Sequence, residues 1–499
     1  MSTSLRICLG AVAAYVTYAC LAALFSPLRK VPGPFLARFT KLWKLREIYR
    51  GHFEKTNIEL HARYGPVVRI APDEYSIDDP DAAREIYGLG GQFIKSEWYI
   101  ASGNADPHAI PDLFSDRNAK RHAVNRRKVA SLYSMSSLVK MEGFVNECTD
   151  LLVSKLRKSA QLGESVDVAH WLQCYAFDVI GHITLAKRFG FLDNGDDIGG
   201  IMAAISDYLA YSAYVGVFPD FHRPATALLT AAAKLSGNSG SGMGAMFSFG
   251  QRVLNSRIAE PGWKEGGGDF LSHLLKLHGE DPQKITKEEI FTSCMTNIGA
   301  GSDTTSISLG SIIYHLCRYP NTMQALRDEI SSMSSEGKIS DPVTFSESQQ
   351  MPYLQAVIKE ALRMHPATGL PLGRVVPAGG KALSGISFPA GTTVGVNSWV
   401  AHANTQVFGN DAHLFRPERW LESKEKSLSM DRYFFAFGMG SRTCVGKNIS
   451  LLEMAKLIPQ LVRKFDISLT EPDKLWETKN RWFVKQRQYF CTFRERQKQ

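Results

Sequence analysis

The sequence predicts a mainly α fold with small β-sheets, and two patterns lead to this prediction. Apolar residues recur at helical spacing over eight long segments: 144–160, 168–188, 246–260, 268–278, 287–318, 320–333, 351–364 and 446–463. Strand-like runs are short and confined to four places: 66–78, 373–376, 387–396 and 482–493. Length alone suggests about three domains, yet no long linker interrupts the interior, so a single large unit remains open.

The first element is an apolar run at the N-terminus. Residues Ile7 to Ser26 read ICLGAVAAYVTYACLAALFS, without one formal charge, which is about the length that a helix needs to cross a bilayer. Two bases, Arg29 and Lys30, follow the run and one, Arg6, precedes it, so a cytosolic C-terminal side is slightly favoured. A cleaved signal peptide is the alternative interpretation.

A short proline segment separates this run from the rest of the chain. In KVPGPF, Pro32 and Pro34 cannot continue a helix. We therefore expect a transmembrane anchor and basic hinge over residues 1–30 and a catalytic body over residues 31–499.

The next two elements with clear start and stop signals are a hairpin and a long helix. Val67–Ile70 and Glu74–Ile77 flank a turn and predict an antiparallel hairpin. Residues 236–244, SGNSGSGMG, are a flexible loop by composition. Thr286 then begins a capping box that predicts a helix over residues 287–318, whose centre reads NIGAGSDTTSIS. Glycines cost about 1 kcal/mol each inside a helix, so helix stability does not explain them.

Cysteine usage and charge limit the possible functions. The eight cysteines are scattered without a CxxC pair, which favours reduced thiols facing the cytosol and argues against a disulfide scaffold or a zinc site. The formal charge of +9 would suit an acidic partner, a membrane surface or nucleic acid. Since no zinc finger, RNP or helix-turn-helix pattern is present, we expect no nucleic-acid partner.

The stretch FGMGSRTCVGK, residues 437–447, carries the most specific chemistry. A phosphate loop of the GxxxxGK[ST] type needs glycine at 441 and Ser or Thr at 448, where this chain has Ser441 and Asn448. Cys444 has no Cys or His within ten residues to share a zinc ion. A single thiolate in a glycine turn suits one face of a flat metallocofactor, and a helix N-terminus together with Arg442 would lower its pKa.

The same stretch resembles the haem-binding pattern FxxGxRxCxG of the cytochrome P450 family at all five fixed places. They are Phe437, Gly440, Arg442, Cys444 and Gly446. The resemblance implies the cytochrome P450 fold and haem b with Cys444 as the axial ligand of the iron. A thiolate ligand pushes electron density onto haem iron and favours O–O cleavage.

Further motifs follow in the family's order. The run AGSDTT is similar to the distal-helix motif, which makes Asp303 and Thr304 the acid and alcohol that relay protons, beside glycines that loosen the helix. KEALRMHP and FRPERW resemble the motifs of a structural network of Glu360, Arg363 and Arg419.

The resemblance also implies binding sites for the two haem propionates. The cofactor-binding residues expected from it are Cys444, Arg442, His122, Arg126, Arg374 and Phe437. The basic stretch RNAKRHAVNRRK lacks interleaved aromatics, which argues against single-stranded nucleic acid. In the family this helix meets an acidic electron donor, so we expect NADPH-cytochrome P450 reductase there, with cytochrome b5 as a second donor.

The implied reaction inserts one oxygen atom from O2 into an apolar small molecule, by hydroxylation, epoxidation or demethylation. The chain looks like the fungal microsomal group that includes pisatin demethylase and many secondary-metabolite oxidases. Residues 96–114, 367–372, Asn297 and Trp482 should line the substrate pocket. The implied location is the endoplasmic reticulum membrane, with contact to lipid. Detoxification of plant or foreign compounds, a haem-thiolate isomerase or dehydratase without a reductase, and a silent haem-binding protein are the alternatives.

Overall fold

Helices form most of the chain in this computed structural model, which describes residues 3–106, 108–235, 243–259 and 268–497. The first eleven are α1 Thr3–Phe25, α2 Leu42–Arg50, α3 Phe53–Tyr64, α4 Pro80–Tyr87, α5 Ala119–Val129, α6 Met135–Leu138, α7 Glu142–Leu162, α8 Val168–Leu185, α9 Phe191–Asn194, α10 Ile201–Val215 and α11 His222–Leu235. The others are α12 Met243–Ala259, α13 Phe270–Glu280, α14 Lys287–Arg318, α15 Pro320–Ser335, α16 Phe345–Ser348, α17 Pro352–Met364, α18 Ser398–Ala403, α19 Thr405–Phe408, α20 Lys424–Asp431 and α21 Lys447–Lys464.

The strands form small sheets. They are β1 Val67–Ala71, β2 Glu74–Ile77, β3 Ile94–Lys95, β4 Ser165–Asp167, β5 Arg374–Val375, β6 Lys381–Leu383, β7 Ile386–Phe388, β8 Thr393–Gly395, β9 Phe465–Leu469, β10 Glu477–Arg481, β11 Phe483–Arg487 and β12 Phe490–Glu495. The largest sheet has the order β1-β2-β8-β5-β3, and β4-β12-β9, β10-β11 and β6-β7 form the others. All pairs are antiparallel except β2 with β8. The predicted mainly α fold with small sheets is confirmed.

The N-terminal apolar run is helical. All of it except Ser26 lies within α1, where Ile7, Tyr18 and Phe25 are exposed. Among the helices in the described part of the chain, none is both long and apolar enough to span a membrane. The predicted transmembrane anchor is therefore not confirmed.

The longest helix, α14, runs through the core and begins with the predicted cap. Thr286 Oγ1 accepts from the Glu289 N–H at 3.2 Å, and Glu289 Oε2 accepts from the Thr286 N–H at 2.8 Å. From residue 305 to residue 316 every side chain of α14 is buried, and α8 packs along it. Tertiary packing thus holds the motif AGSDTT in a fixed helix, because a buried helix gains most of its stability from its neighbours.

Most element boundaries agree closely with the sequence pattern. The hairpin is β1 with β2, and the helix predicted over 287–318 is α14. The strand-like stretches 387–396 and 482–493 each contain two strands, because a turn interrupts each stretch. The loop predicted over 236–244 lies mostly outside the described residues.

Candidate active site

The cysteine loop is a tight turn that leads into α21. The Cys444 N–H donates to the Phe437 carbonyl at 2.8 Å, and the Thr443 N–H and hydroxyl donate to the Gly440 carbonyl at 3.1 and 2.8 Å. Gly440 has a φ of 65°, and a Cβ there would lie 1.8 Å from the carbonyl oxygen of Tyr87. Only glycine fits this position, since both the backbone conformation and the close approach of α4 exclude a side chain.

Cys444 opens onto an enclosed space. The Cys444 side chain is accessible, but protein atoms surround it on most sides. This desolvation raises the pKa of its thiol. The N–H groups of Gly446 and Lys447 and the charge of Arg126 act against this shift but do not reverse it. The expectation that the helix N-terminus and Arg442 lower this pKa is therefore wrong in its net direction, because desolvation outweighs the favourable charges.

Helix α14 packs against α21, the helix that follows the cysteine loop, and the Thr305 and Ser450 hydroxyls lie 2.8 Å apart between them. Ala300 is exposed and Thr304 half-buried, although they lie one turn apart in a helix that is otherwise core. The Thr304 hydroxyl donates to the Ala300 carbonyl at 2.8 Å. These two residues therefore face a cavity inside the protein.

The glycine at position 301 has a packing role. A Cβ there would lie 2.9 Å from Ile180 Cγ1 of α8, so Gly301 allows the two helices to approach closely. The helix is continuous from Lys287 to Arg318. The structure shows no break in the helix at Gly301, which lies against α8, so the expectation that glycines loosen the helix is not confirmed.

Asp303 is turned away from Thr304. Its carboxylate is fully buried, accepts a hydrogen bond from Gln173, and lies 2.7 Å from Lys485 Nζ in an ion pair. Within the described residues this carboxylate makes no hydrogen bond to Thr304. The two neighbours expected to act together thus lie on α14 with different partners, since successive side chains of a helix point in different directions.

A cluster of cations lies near the cysteine loop. Its members are Lys95, His122, Arg126, Arg374 and Arg442. Burial, then the charges of Arg442, Lys95 and Arg126, lowers the pKa of His122 to about 3. Burial and the charge of Arg374 lower the pKa of Arg442 to about 10. His122 is therefore neutral at neutral pH, while the charged members repel one another, so the cluster lacks compensating negative charge.

Arg442 shows where that negative charge fits. Its Nη1 atom is buried and makes no hydrogen bond within the described residues. The nearby acid Asp116 is already paired with Arg121 at 2.8 Å. A buried guanidinium donor without an acceptor is costly, and carboxylates are the acceptors that guanidinium prefers. The site therefore fits a ligand with more than one carboxylate, such as the two propionates of haem.

Lys95 belongs to this cluster although the sequence analysis missed it. Burial lowers the pKa of Lys95 well below its ordinary value, and its Nζ lies 4.6 Å and 4.8 Å from the ring centroids of Tyr99 and Phe114. It reaches the cluster because Lys95 of β3 pairs with Arg374 of β5. A two-residue strand leaves almost no sequence signal, so only the pairing of distant segments identifies this lysine.

The glutamate and arginine network implied by the resemblance is present and buried. Glu360 accepts from Arg363 at 2.7 and 2.8 Å and from Arg419 at 2.9 Å. The Trp420 indole and the Arg416 backbone N–H also donate to its carboxylate, at 2.9 and 3.0 Å. The carboxylate thus receives five hydrogen bonds.

His402 connects this network to the cysteine loop. Its Nδ1 lies 2.9 Å from the Arg363 carbonyl, and its Nε2 accepts from the Phe435 N–H at 2.8 Å. Burial and the charge of Arg363 lower the pKa of His402 to about 3, so the ring is neutral and makes both bonds. A lone histidine gives no sequence signal for this role.

Aromatic side chains form a wall beside the cations. Trp98 stacks on Trp482 with 4.3 Å between ring centroids, and Phe114 lies 5.7 Å from Trp482. The Tyr99 ring lies 5.2 Å from Phe114, and its hydroxyl accepts from Arg374 at 3.5 Å. We call Trp98, Tyr99, Phe114 and Trp482 the aromatic wall. The region expected to bind an apolar ligand is therefore continuous with the cation cluster.

The Cys444 thiol, which faces an enclosed space beside an unneutralised cation cluster, has the arrangement of a haem-thiolate protein. Comparison with known proteins gives the family: the sequence model for cytochrome P450 matches residues 31–492, and the chain belongs to the cytochrome P450 monooxygenases. Members of this family bind haem through a cysteine thiolate.

Similar proteins are fungal. Two proteins named pisatin demethylase, both from Fusarium vanettenii, are 41% and 39% identical to this chain. Each alignment covers 93% of this chain, and 90% and 88% of the relatives respectively. A cytochrome P450 monooxygenase of Emericella nidulans is 36% identical, with 94% of both chains covered.

Proposed function

We propose that the protein inserts one oxygen atom from O2 into an apolar small molecule, with the other atom leaving as water and two electrons coming from NADPH. The observation that carries this proposal is the position of Cys444, a desolvated thiol at the wall of an internal cavity beside a cation cluster. That arrangement suits a metallocofactor with anionic substituents.

Each residue of the site has a proposed role. Cys444 would hold the haem iron through its thiolate, and Arg442, His122, Arg126 and Arg374 would hold the propionates. Phe437 supports the loop, since its carbonyl accepts from the Cys444 N–H at 2.8 Å. When bound, haem supplies the oxidising chemistry.

Thr304 and Asp303 are the proposed proton carriers. The Thr304 hydroxyl is on the cavity side of α14, and rotation about χ1 would release it from the Ala300 carbonyl. Asp303 contacts Lys485, whose side chain is 27% exposed, so the ion pair connects a buried carboxylate to the protein surface. A proton would pass from that surface through Asp303 to water in the cavity and to Thr304.

The aromatic wall and the relatives bear on the substrate. Stacked indole rings and the exposed ring of Phe114 favour a largely apolar ligand. Because two relatives are named demethylases, removal of a methyl group is one form that the reaction takes in this proposal. We place the reaction in fungal secondary-metabolite biosynthesis.

The electron donor and the membrane are further parts of the proposal. Helix α5 exposes Lys120, Arg121 and Arg127, a basic face suited to the acidic surface of NADPH-cytochrome P450 reductase, with cytochrome b5 as a second donor. We propose an anchor and hinge over residues 1–30, a haem domain over 31–499, and attachment to the endoplasmic reticulum facing the cytosol.

Expression with a fungal reductase tests the reaction. The full chain should give a thiolate-type CO spectrum after reduction, consume O2 with NADPH, and form oxygenated products when supplied with fungal aromatic metabolites. Cys444→Ala should lose the thiolate spectrum. Turnover without NADPH or O2, or a thiolate spectrum in Cys444→Ala, would contradict the proposal.

A further inference from the structure

A buried polar network joins separate segments of the chain next to the aromatic wall. The Asn480 side-chain amide donates to Glu54 Oε2 at 2.7 Å and to the Gly369 carbonyl at 2.9 Å. The Asn397 amide donates to the same Gly369 carbonyl at 3.1 Å and to Asn57 Oδ1 at 3.2 Å. Glu54, Asn57 and Asn397 are fully buried, and Asn480 is 1% exposed.

These bonds converge on one peptide that also holds Trp482. The Gly369 carbonyl accepts from both amides, while the Gly369 N–H donates to the Trp482 carbonyl at 2.9 Å. A Cβ on Gly369 would lie 2.3 Å from Asn480 Nδ2, so the amide packs directly on this backbone. Asn480 therefore fixes the segment 367–372 and the β10–β11 turn relative to each other.

Trp482 needs such support because its backbone is strained. It is the single residue between β10 and β11, and its φ of 79° is left-handed for a bulky residue. A conformation of this kind persists only when surrounding contacts hold it. Trp482 is 3% exposed and stacks on Trp98, so its ring has one fixed position in the wall.

The supported segments lie at the cavity. Leu372 follows the clamped peptide, and its Cδ1 would lie 3.9 Å from a Cβ placed on Gly438 of the cysteine loop. Trp482 and Leu370 belong to the same apolar cluster as Ile307, one turn beyond Thr304 on α14. The network is thus one layer behind the surface that a substrate would contact.

We propose that Asn480 and Asn397 are positioning residues that determine ligand specificity by fixing Trp482 and residues 369–372. The inference rests on the proposed function, since it assigns the aromatic wall to the substrate side of the haem. Neither amide is among the residues assigned to the haem or to the proton path. Their loss should change which ligands fit the cavity and leave the haem and its thiolate ligand intact.

The test uses Asn480→Asp in the full haem-loaded chain, with imidazole and phenylimidazole as spectroscopic ligands. The aspartate keeps the side-chain shape and removes the amide donor to Glu54 and Gly369. Asn480→Ala is the second variant. The matched control is Asn404→Asp, at the residue that precedes α19. It removes a side-chain amide that donates a hydrogen bond of 2.9 Å to the Asp78 carboxylate.

Phenylimidazole carries an apolar ring that would extend from the haem towards the wall, whereas imidazole carries none. In both Asn480 variants the Kd of phenylimidazole should rise about tenfold, because two buried hydrogen bonds that hold the wall are lost and part of that loss appears in ligand binding. The Kd of imidazole should stay within about twofold. Asn404→Asp should leave both constants within about twofold.

Hydrogen exchange gives a second readout that needs no bound ligand. The amides of Gly369 and Val484, which donate to Trp482 and Ala367, should exchange about tenfold faster in both Asn480 variants and at the parent rate in Asn404→Asp. Unchanged phenylimidazole binding, or equal weakening of both ligands, would overturn the inference. Absence of a thiolate CO spectrum in the parent chain would instead refute the proposed function, so the two failures are distinguishable.

Discussion

Replacing Glu360 with glutamine should destabilise the fold more than removing any surface charge. Glutamine keeps the shape, and its amide oxygen can retain the three donors that reach Oε1, from Arg363, Arg419 and the Arg416 backbone. Its NH2 group would face the other two donors, from Arg363 Nε and the Trp420 indole. Two hydrogen bonds are therefore replaced by opposed N–H groups.

Losing the negative charge of Glu360 destabilises the fold more than losing these two hydrogen bonds. Although burial acts to raise it, Arg363 and Arg419 hold the pKa of Glu360 below its ordinary value, so the carboxylate is ionised at neutral pH. Removing it leaves both buried guanidinium groups undercompensated, and of the two only Arg419 retains an acid, Asp411 at 3.0 Å. Breaking a buried ion pair from one side costs about 3–5 kcal/mol, a figure that already includes the lost hydrogen bonds to the charged group.

Thermal unfolding followed by circular dichroism and haem absorbance measures this loss. An unfolding entropy of about 2.1 cal/mol/K per residue over 499 residues gives about 1 kcal/mol per degree, so Tm should fall by about 3–5 °C. The control is Arg84→Gln, which removes an exposed pair with Asp81 at 2.6 Å and should shift Tm by less than about 1 °C. If the Tm of Glu360→Gln fell no further than the Tm of Arg84→Gln, the reasoning would be refuted.

Three further predictions follow from the site and its surroundings. Thr304→Ala should retain the CO spectrum, while product formed per NADPH falls by about 10²-fold because a proton carrier is lost; unchanged coupling would contradict this. Arg442→Leu should weaken haem binding about tenfold in transfer to apomyoglobin, whereas Arg127→Leu on α5 should not, since one charge-assisted bond is lost only in the first. Burial raises the pKa of Asp78 to about 6, so native stability should increase as pH falls from about 6 towards 4. Asp78→Asn should remove that dependence and raise Tm at pH 8, because both hydrogen bonds, from Tyr433 and Asn404, reach one oxygen that asparagine keeps.

The sequence predicted helices well where local signals agree. Thr286 and Glu289 identify the start of α14, and Pro320 marks its end, because capping and proline sterics act within a few residues. Strand pairing could not be predicted in this way, because it joins segments that are far apart in the sequence. Lys95 and Arg374 are neighbours only because two-residue strands from distant segments pair, and no local pattern encodes that contact.

The site was predicted by residue identity more successfully than by geometry. The cation cluster contains the four basic residues expected from motifs, but Lys95 was missed as a contributor, and Asp303 is bonded to Gln173 and Lys485. Motifs record which side chains recur, whereas orientation depends on packing partners. The direction of the pKa shift at Cys444 could not be predicted, since the degree of burial is a property of the whole fold.

The cavity has two unfavourable electrostatic features, a desolvated thiol and a group of cations, and one ligand can stabilise both. Burial disfavours the thiolate of Cys444, and repulsion disfavours the cations around Arg442. A thiolate gains from a metal cation, and the cations gain from carboxylates, so a single ligand with a metal centre and anionic substituents relieves both. Binding such a ligand must stabilise the native chain, because it interacts with groups that the unfolded chain would leave in water. The buried thiol and the clustered cations, which are unfavourable in the protein alone, are therefore the same features that favour binding of haem.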